Sequence, residues 1–147
     1  MRFTIQDHHA HKAGHHWDLR LEIPDGNLAV YKEKRDFTKT AEPEGNGESM
    51  ASWAIPKHKL PEPGKRVMGI RTEDHPLSYQ DFEGTIPDGE YGAGEMSLVA
   101  NGDYELESYN PEKGNWLINL PGFGRFKIIP FKKGGPKSCL IIGLKEE

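Results

Sequence analysis

Polar and apolar residues alternate without interruption through the stretch His16-Trp17-Asp18-Leu19-Arg20-Leu21-Glu22-Ile23. Successive side chains of a β-strand point to opposite faces, so this pattern predicts a half-buried strand with one apolar and one polar face. The polar face carries His16, Asp18 and Arg20, whose side chains leave it about 7 Å apart in succession. An imidazole, a carboxylate and a guanidinium therefore lie side by side on one strand.

Further short strands are predicted along the rest of the chain. Phe3 and Ile5 alternate with polar residues over 1–6, and His8 continues their polar side. The pair Asp25-Gly26 has the chemistry of a hairpin turn, with 27–32 as the returning strand. Glycine and proline turns separate the other predicted strands, which cover 52–55, 66–72, 95–100, 103–109, 115–120, 125–131 and 138–144. We therefore expect an all-β fold, a compact, closed antiparallel β-barrel with few short helices.

Composition bounds the domain count and the cellular setting. A chain of 147 residues is the size of one domain, and we assign 1–147 to a single domain with a mobile polar loop at 36–51. The net charge of −4 excludes a global basic field, so a bound phosphate must be held locally. The single cysteine, Cys139, excludes an internal disulfide, and the sequence shows neither a long apolar run nor a secretory signal. We expect a cytoplasmic monomer without a membrane segment.

The pattern His16-x-Asp18-x-Arg20 indicates a metal next to a phosphate. Neutral imidazole and carboxylate together suit Mn²⁺, Zn²⁺ or Fe²⁺, with a third ligand from another strand. Arg20 cannot bind a cation, but its planar guanidinium matches a phosphate beside one. The alternative for Asp18 and Arg20 is an edge salt bridge. For the five histidines among the first sixteen residues, the alternative is a solvated polar loop.

A second group of candidates follows at Glu73-Asp74-His75-Pro76-Leu77-Ser78-Tyr79. Proline restricts the preceding His75 to extended geometry, and nearby glycines impose tight turns, which together predict a fixed loop. His75 is a candidate general acid or phosphate clamp, and Tyr79 is a candidate hydrogen-bond donor to the same group. A purely structural role for His75 is the alternative.

Four motifs occur in a fixed order along the chain. They are Phe3-Thr4-Ile5-Gln6-Asp7-His8, His16-Trp17-Asp18-Leu19-Arg20-Leu21-Glu22, Ser52-Trp53-Ala54-Ile55-Pro56-Lys57, and Glu73-Asp74-His75-Pro76-Leu77 through Glu90-Tyr91-Gly92. This series resembles the phosphoesterase domain of bacterial and archaeal DNA ligase D, in a stand-alone form. The resemblance implies a compact β-barrel with a manganese-dependent active site on its surface. It also implies 3′-end healing, in which a 3′-ribonucleotide or 3′-phosphate is removed from DNA or an RNA/DNA primer to leave a 3′-hydroxyl.

The resemblance further implies roles for individual residues. Metal ligands match His8, His16 and Asp18, and catalytic roles around the scissile phosphate match Arg20, His75 and Tyr79, together with His16. Substrate-binding positions match Gln6, Glu22, Ser52, Lys57 and Arg66, although the spacing from Arg66 to His75 is one residue longer than in the family pattern. The implied cofactor is a divalent metal, Mn²⁺, with Zn²⁺ and Co²⁺ as alternatives. The implied partners are DNA or RNA/DNA 3′ ends, with a separate ligase, polymerase and end-binding protein.

Two departures from the family pattern leave alternatives open. Two extra residues between His8 and His16 make His9 or His11 alternative third ligands, whereas strand parity favours His8. Residues 23–51 form an insertion relative to the family pattern. One interpretation is that the basic residues of this insertion cover or extend a nucleic-acid groove, and the alternative is an ordinary solvated loop. These basic residues are Lys32, Lys34, Arg35 and Lys39.

Two other functions compete with this hypothesis. A non-catalytic nucleic-acid end-binding module would need Arg20 but not the ligand set of His16 and Asp18. A cupin-like enzyme acting on a small metabolite would carry two separated His-rich motifs, which the sequence lacks. The sequence therefore favours a metal-dependent phosphoesterase.

Overall fold

The computed structural model describes residues 1–24, 26–45 and 48–145. In chain order the main elements are β1 (Arg2–Ala10), β2 (Gly14–Ile23), α1 (Ala29–Glu33), β3 (Ser49–Ile55), β4 (Arg66–Pro76), β5 (Gly84–Ile86), β6 (Gly94–Asp103), β7 (Glu105–Asn110), β8 (Asn115–Leu120), β9 (Gly124–Pro130) and β10 (Ser138–Gly143). Two short 3₁₀ helices cover Leu77–Asp81 and Lys132–Gly134. In these described ranges no helix is long and apolar enough to cross a lipid bilayer. The predicted all-β class is confirmed.

The ten strands form one antiparallel sheet in the order β5-β6-β1-β2-β3-β4-β10-β9-β8-β7. At the two ends of this order, β5 pairs with β6 and β7 pairs with β8, and the described residues contain no ladder between β5 and β7. The predicted closure of the barrel is therefore wrong. A strand of three residues, such as β5, has few backbone groups with which to form a second ladder, so the sheet stays open.

Alternating residues of the central strands face one main core. In β2 these core residues are Leu19, Leu21 and Ile23, which confirms the apolar face predicted for this strand. Trp53 of β3 and Trp116 of β8 meet edge to face in the same core, with ring centroids 5.0 Å apart. Because β3 and β8 are far apart in the strand order, the sheet must curl around this core.

A smaller apolar cluster covers the opposite, polar face of the sheet. It contains Tyr31, Met50, Tyr79 and Met96, against which Phe37, Leu77 and Phe82 pack. Tyr31 comes from α1 and Tyr79 from the 3₁₀ helix Leu77–Asp81. These elements cover the polar side chains of β2, so that Asp18 and Arg20 are buried.

The prediction that 27–32 returns as a hairpin partner of β2 is wrong. β2 already pairs with β1 on one side and with β3 on the other, so it has no free edge. The segment instead contains the helix Ala29–Glu33, whose Tyr31 is buried. Of the predicted turn, Asp25 lies outside the described residues.

The segment 36–51, expected to be a mobile loop, ends in a strand and contains buried residues. Residues 49–51 belong to β3, which begins at Ser49, and residues 46–47 lie outside the described residues. Thr40 and Glu42 are buried, and Thr40 Oγ1 donates to Glu42 Oε1 at 2.9 Å. The mobility of 36–45 stays a prediction.

His75 and Tyr79 lie on regular backbone, so the predicted loop at this point is wrong. β4 continues through His75 to Pro76, with Met50 of β3 paired to His75. Tyr79 follows on the 3₁₀ helix Leu77–Asp81. The extended geometry predicted for His75 is confirmed, and Pro76 ends the strand because proline has no N–H for the ladder.

Replacing Leu19 with alanine should lower the free energy of unfolding by roughly 2–5 kcal/mol, because the change leaves a cavity in a packed core. Leu19 is completely buried on the apolar face of β2. As a control, Val99→Ala on β6, where the residue is 40% exposed, should change this free energy by less than about 0.5 kcal/mol. Urea denaturation followed by circular dichroism measures both variants. Equal losses in the two would contradict the assignment of the core face.

Candidate functional site

Pairing of β1 with β2 brings three potential metal ligands together. His8 lies directly opposite His16, and Asp18 lies opposite Gln6, two residues farther along the same face. The ligand atoms of His8, His16 and Asp18 lie within 4.8 Å of one another, and all three residues are buried. The strand register therefore assembles two imidazoles and one carboxylate at one point.

Backbone carbonyls hold one ring nitrogen of each histidine. His8 Nε2–H donates to Gly92 O at 2.8 Å, and His16 Nδ1–H donates to Gly14 O at 3.1 Å. The other nitrogens, His8 Nδ1 and His16 Nε2, face the Asp18 carboxylate at 3.5 and 3.3 Å. Metal-binding histidines almost always have their second nitrogen held in this way. Both rings are thus oriented with the free nitrogen toward the carboxylate.

This donor set fits a divalent transition metal. Bonds of about 2.0–2.2 Å to nitrogen and oxygen place neighbouring ligand atoms of a tetrahedral site about 3.4 Å apart. The distances of 3.3 and 3.5 Å from the two imidazoles to Asp18 match that spacing. Two imidazoles and a carboxylate, without a thiolate, suit Mn²⁺, Zn²⁺ or Co²⁺. His8, His16 and Asp18 are therefore the residues that can hold the predicted metal.

Asp18 carries a buried negative charge that is stabilised by three neighbours. Burial alone would raise its pKa, but the charge of Arg20, followed by the contacts with His16 and His8, holds the pKa far below its ordinary value. Burial likewise lowers the pKa of His16, but contact with Asp18 outweighs it and the net pKa is raised. Arg20 Nη2 lies 3.4 Å from Asp18 Oδ2 on an interior strand. The pair is therefore not the edge salt bridge considered as an alternative.

A glutamine and an aromatic ring orient Arg20 beside the metal ligands. Arg20 Nε donates to Gln6 Oε1 at 2.8 Å. Gln6 Nε2 in turn donates to the carbonyls of Tyr79 and Phe82 at 2.9 and 3.0 Å. The Arg20 guanidinium also lies over the Tyr79 ring, 4.8 Å from its centroid. Arg20 is thus fixed through Nε and through one face of its guanidinium.

His75 is neutral near neutral pH. Its burial, followed by the positive charges of Arg20 and Arg35, lowers its pKa well below the ordinary value. His75 Nδ1–H donates to Glu73 O at 2.9 Å, with Ser52 Oγ 3.2 Å from the same nitrogen. Its Nε2 accepts from Arg35 Nη2 at 3.4 Å. In this state His75 is a hydrogen-bond acceptor, and it must take up a proton before it can act as a general acid.

Arg35 is a site residue that the sequence prediction did not single out. Its side chain is 5% exposed and pairs with Glu42 at 3.1 Å and with Glu73 at 3.0 Å. Lys39, in the same basic run, has a side chain 67% exposed. The run of basic residues was the only signal in the sequence that pointed to Arg35. It could not single out this residue, because the carboxylate partners of Arg35 lie 7 and 38 residues away along the chain.

The Tyr79 hydroxyl is engaged by a buried carboxylate. It donates to Glu42 Oε2 at 2.8 Å, and the same carboxylate oxygen pairs with Arg35. Burial, reinforced by the charge of Glu42, raises the pKa of Tyr79 well above its ordinary value. The hydroxyl would have to leave Glu42 in order to donate to a substrate as predicted.

These side chains line one cleft of about 720 Å³. Its polar lining contains His8, His16, Asp18, Arg20, His75, Tyr79, Arg35 and Glu73. The volume is in the ordinary range for a ligand pocket. The structure thus brings the three potential metal ligands and two guanidiniums to one accessible space.

Gln6 and Ser52, predicted to bind substrate, lie behind this cleft. Gln6 orients Arg20, and Ser52 Oγ contacts His75 Nδ1. Both are completely buried. They are therefore suited to position other site residues.

Three further substrate-binding candidates, Glu22, Lys57 and Arg66, do not line the cleft. Glu22 Oε1 accepts from the backbone N–H of Arg2 at 2.8 Å. Lys57 is exposed after the end of β3, and Arg66 begins β4 at the end opposite His75. These three residues were identified by their positions in the family motifs. A motif position does not specify where a side chain lies in the fold or in which direction it points.

The alternative third ligands, His9 and His11, are not part of the cluster of the three potential metal ligands, although His11 lines the cleft. His9 Nε2 is 3.1 Å from Asp7 Oδ2, on the opposite face of β1. His11 Nδ1 is 2.7 Å from Asp88 Oδ1. The geometry places His8 in the ligand cluster, as strand parity predicts, and its role as a ligand stays a prediction.

Comparison with known proteins identifies related sequences. A family model described as DNA Ligase D 3′-phosphoesterase domain matches residues 44–124. The multifunctional non-homologous end joining DNA repair protein LigD of Mycobacterium tuberculosis is 37% identical over 132 residues, which cover 86% of this chain and 14% of that protein. The multifunctional non-homologous end joining protein LigD of Pseudomonas aeruginosa is 36% identical over 144 residues, covering 94% of this chain and 14% of the relative. The chain therefore spans about one-seventh of the length of these relatives.

Affinity for Mn²⁺ should fall as the pH is lowered through the raised pKa of His16, because the metal and a proton compete for Nε2. Above that pKa the Kd should be level, and below it the Kd should rise about tenfold per pH unit for one competing proton. Calorimetric titration with Mn²⁺ from about pH 5 to about pH 8 measures this dependence. His16→Ala should bind Mn²⁺ weakly at every pH. A Kd that is constant over this range would contradict His16 as a ligand.

Proposed function

Because the chain belongs to the DNA ligase D 3′-phosphoesterase domain family, we propose that it is a metal-dependent phosphoesterase acting on the 3′ ends of DNA or of RNA/DNA primers. It removes a 3′-ribonucleotide or a 3′-phosphate and leaves a 3′-hydroxyl, in DNA repair by end joining. Separate ligase and polymerase activities would then use the hydroxyl end.

One observation carries the proposal. The ligand atoms of His8, His16 and Asp18 converge within 4.8 Å of one another, and the guanidiniums of Arg20 and Arg35 line the same cleft. Imidazole and carboxylate donors suit a transition metal, and guanidinium matches the geometry of phosphate. A site that holds both a metal and a phosphate is suited to phosphoester hydrolysis.

The charges of the network beside the cleft determine what a bound metal ion would add. Asp18, Glu42 and Glu73 carry three negative charges, and Arg20, Arg35 and Lys34, whose Nζ lies 3.4 Å from Glu73 Oε2, carry three positive ones, so the network is neutral when the histidines are neutral. Burial opposes ionisation of Glu73, but its backbone hydrogen bond and Arg35 lower its pKa, so this carboxylate stays charged. A bound divalent ion supplies positive charge beside the phosphate oxygens. With that ion the net charge becomes +2, and an anionic 3′ end is attracted.

Arg20 is the best-positioned group for the phosphate. Gln6 and the Tyr79 ring hold it in place, and it lies next to the potential ligand Asp18. A donor fixed before the reaction stabilises charge that develops in the transition state without the cost of reorganisation. We assign to Arg20 the stabilisation of a non-bridging phosphate oxygen.

Arg35 and His75 form the second part of the proposed phosphate-binding group. Arg35 Nη2 is 3.4 Å from His75 Nε2. A phosphate oxygen that accepts the hydrogen bond from Arg35 Nη2 would leave His75 Nε2 without this donor. The negative charge of the phosphate would then favour protonation of His75, because a nearby negative charge raises the pKa of a histidine. Protonated His75 can then donate to the leaving oxygen as a general acid.

The purified protein with Mn²⁺ should convert a primer that ends in a single 3′-ribonucleotide or a 3′-phosphate into one with a 3′-hydroxyl. Gel electrophoresis of a 5′-labelled primer annealed to a template resolves these products. The reaction should stop when the metal is removed by a chelator. Tight binding of the 3′ end without product in Mn²⁺, Zn²⁺ or Co²⁺ would contradict the proposal and would support a non-catalytic end-binding module.

Arg20→Ala should lower the rate of this reaction roughly a hundredfold or more, because it removes a donor to the developing charge. Arg20→Lys keeps the charge but loses the planar fork, so its rate should lie between those of Arg20→Ala and the unmodified protein. Mn²⁺ affinity, measured by calorimetry, should not fall in either variant, since Arg20 is not a ligand. Arg66→Ala, outside the cleft, is the matched control with an unchanged rate. Near-normal turnover by folded Arg20→Ala would show that this arginine is only a structural partner of Asp18.

Arg35→Ala should lower the rate roughly tenfold to a hundredfold, because the cleft loses its second guanidinium. Lys39→Ala, on the same insertion but with an exposed side chain, should leave the rate unchanged. Thermal unfolding of both variants separates an effect on the reaction from an effect on folding, since Arg35 also pairs with two carboxylates. Equal rates for the two folded variants would remove Arg35 from the site.

A further inference from the structure

The β1–β2 hairpin carries two pairs of adjacent histidines, His8-His9 and His15-His16. The antiparallel register places His8 opposite His16 and His9 opposite His15. Because successive side chains of a strand point to opposite faces, the two doublets must form two cross-strand histidine pairs, one on each face of the hairpin. The side chains of His8 and His16 leave one face of the hairpin and those of His9 and His15 leave the other, although His15 is also among the residues that line the cleft.

The second pair repeats the donor set of the first. Asp7 lies two residues before His9 on the same face of β1, and its Oδ2 is 3.1 Å from His9 Nε2. Its other oxygen, Oδ1, contacts His15 Nε2. The ligand atoms of Asp7, His9 and His15 lie within 4.8 Å of one another. Each face of the hairpin thus presents two imidazoles and one carboxylate at a spacing suited to a single ion.

Contacts around the second cluster fix its imidazoles. The rings of His9 and His15 stack with centroids 3.9 Å apart and planes 11° from parallel. On its other side His15 stacks with His58, at 4.1 Å and 19°. The backbone of His58 has φ of 41°, in the left-handed region that residues other than glycine rarely adopt. A strained backbone is therefore maintained at the residue that orients His15.

We propose that Asp7, His9 and His15 bind a second divalent transition-metal ion, of the class of Zn²⁺, on the face of the β1–β2 hairpin opposite the one that carries His8 and His16. Two imidazoles and one carboxylate favour Zn²⁺, Co²⁺, Ni²⁺ or Cu²⁺ over Mg²⁺ or Ca²⁺, which prefer oxygen ligands. The side chain of His9 is 57% exposed and that of His15 is 35% exposed, so an ion can enter from solvent.

The second ion would stabilise the part of the sheet that carries the active-site ligands. It would link β1 to β2 through His9 and His15, each next in sequence to a histidine of the cleft. An ion that binds the folded chain more tightly than the unfolded chain raises the melting temperature. The role is structural and goes beyond the proposed phosphoesterase activity.

The metal content after equilibrium dialysis against Zn²⁺, measured by atomic emission, tests this proposal without a substrate. The unmodified protein should bind two equivalents of Zn²⁺. His9→Ala and His15→Ala should each lose the Zn²⁺ bound by the cluster of Asp7, His9 and His15. His16→Ala should lose the Zn²⁺ bound in the cleft. His11→Ala, at an exposed histidine outside both clusters, should keep two. His9→Gln replaces His9→Ala if the alanine variant fails to fold.

Thermal unfolding provides a second readout. Zn²⁺ should raise the melting temperature of His16→Ala, in which only the cluster of Asp7, His9 and His15 remains. It should not change the melting temperature of the double variant His9→Ala/His16→Ala. Unchanged Zn²⁺ content in both folded His9→Ala and folded His15→Ala, relative to the unmodified protein, would overturn the proposal. Failure of the primer assay would leave this result intact, because the readout is bound metal and not turnover.

Discussion

The pairing of His8 with His16 across the β1–β2 ladder is the constraint on which the site depends. A slip of one residue would turn His8 away from the cleft, because side chains alternate between the two faces of a strand. On its other side β1 pairs with β6, so a slip of β1 would have to break this second ladder as well. Gly94 of β6 approaches β1 so closely that a Cβ at this position would lie 2.1 Å from His9 O. The geometry of the donors is therefore set by backbone pairing on both sides of β1.

Buried charge is the second requirement of this arrangement. Removing Asp18 and Arg20 from water is costly, and the cost is offset only while each charge keeps its partners. The insertion, residues 23–51, contributes to this balance: Arg35 and Glu42 come from it, and Glu42 also binds the Tyr79 hydroxyl. The insertion therefore supplies Arg35, one of the two guanidiniums of the cleft, and the buried carboxylate that holds it. The loop expected to control access is in part a component of the site.

The alternation of polar and apolar residues in the sequence predicted those parts of the site that depend only on the pairing of β1 with β2. Period-two alternation identified both faces of β2, and strand parity favoured His8 over its neighbours, because alternation is a local property of extended backbone. Arg35 and Glu42 could not be found in this way, because their positions depend on contacts between segments distant in sequence. Arg66 shows that a motif position alone does not locate a side chain in the fold. It matched a family position, but the structure places it at the end of β4 opposite His75.

The central claim is that one metal ion sits between His8 Nδ1, His16 Nε2 and Asp18, beside Arg20. Diffraction from crystals grown with Mn²⁺, recorded at a wavelength near the manganese absorption edge, locates such an ion directly through its anomalous signal. The account predicts a manganese peak within about 2.0–2.3 Å of these three side chains, the usual range for nitrogen and oxygen ligands. A fully occupied manganese ion held by other residues, with no ion bonded to His8 Nδ1 or His16 Nε2, would contradict it.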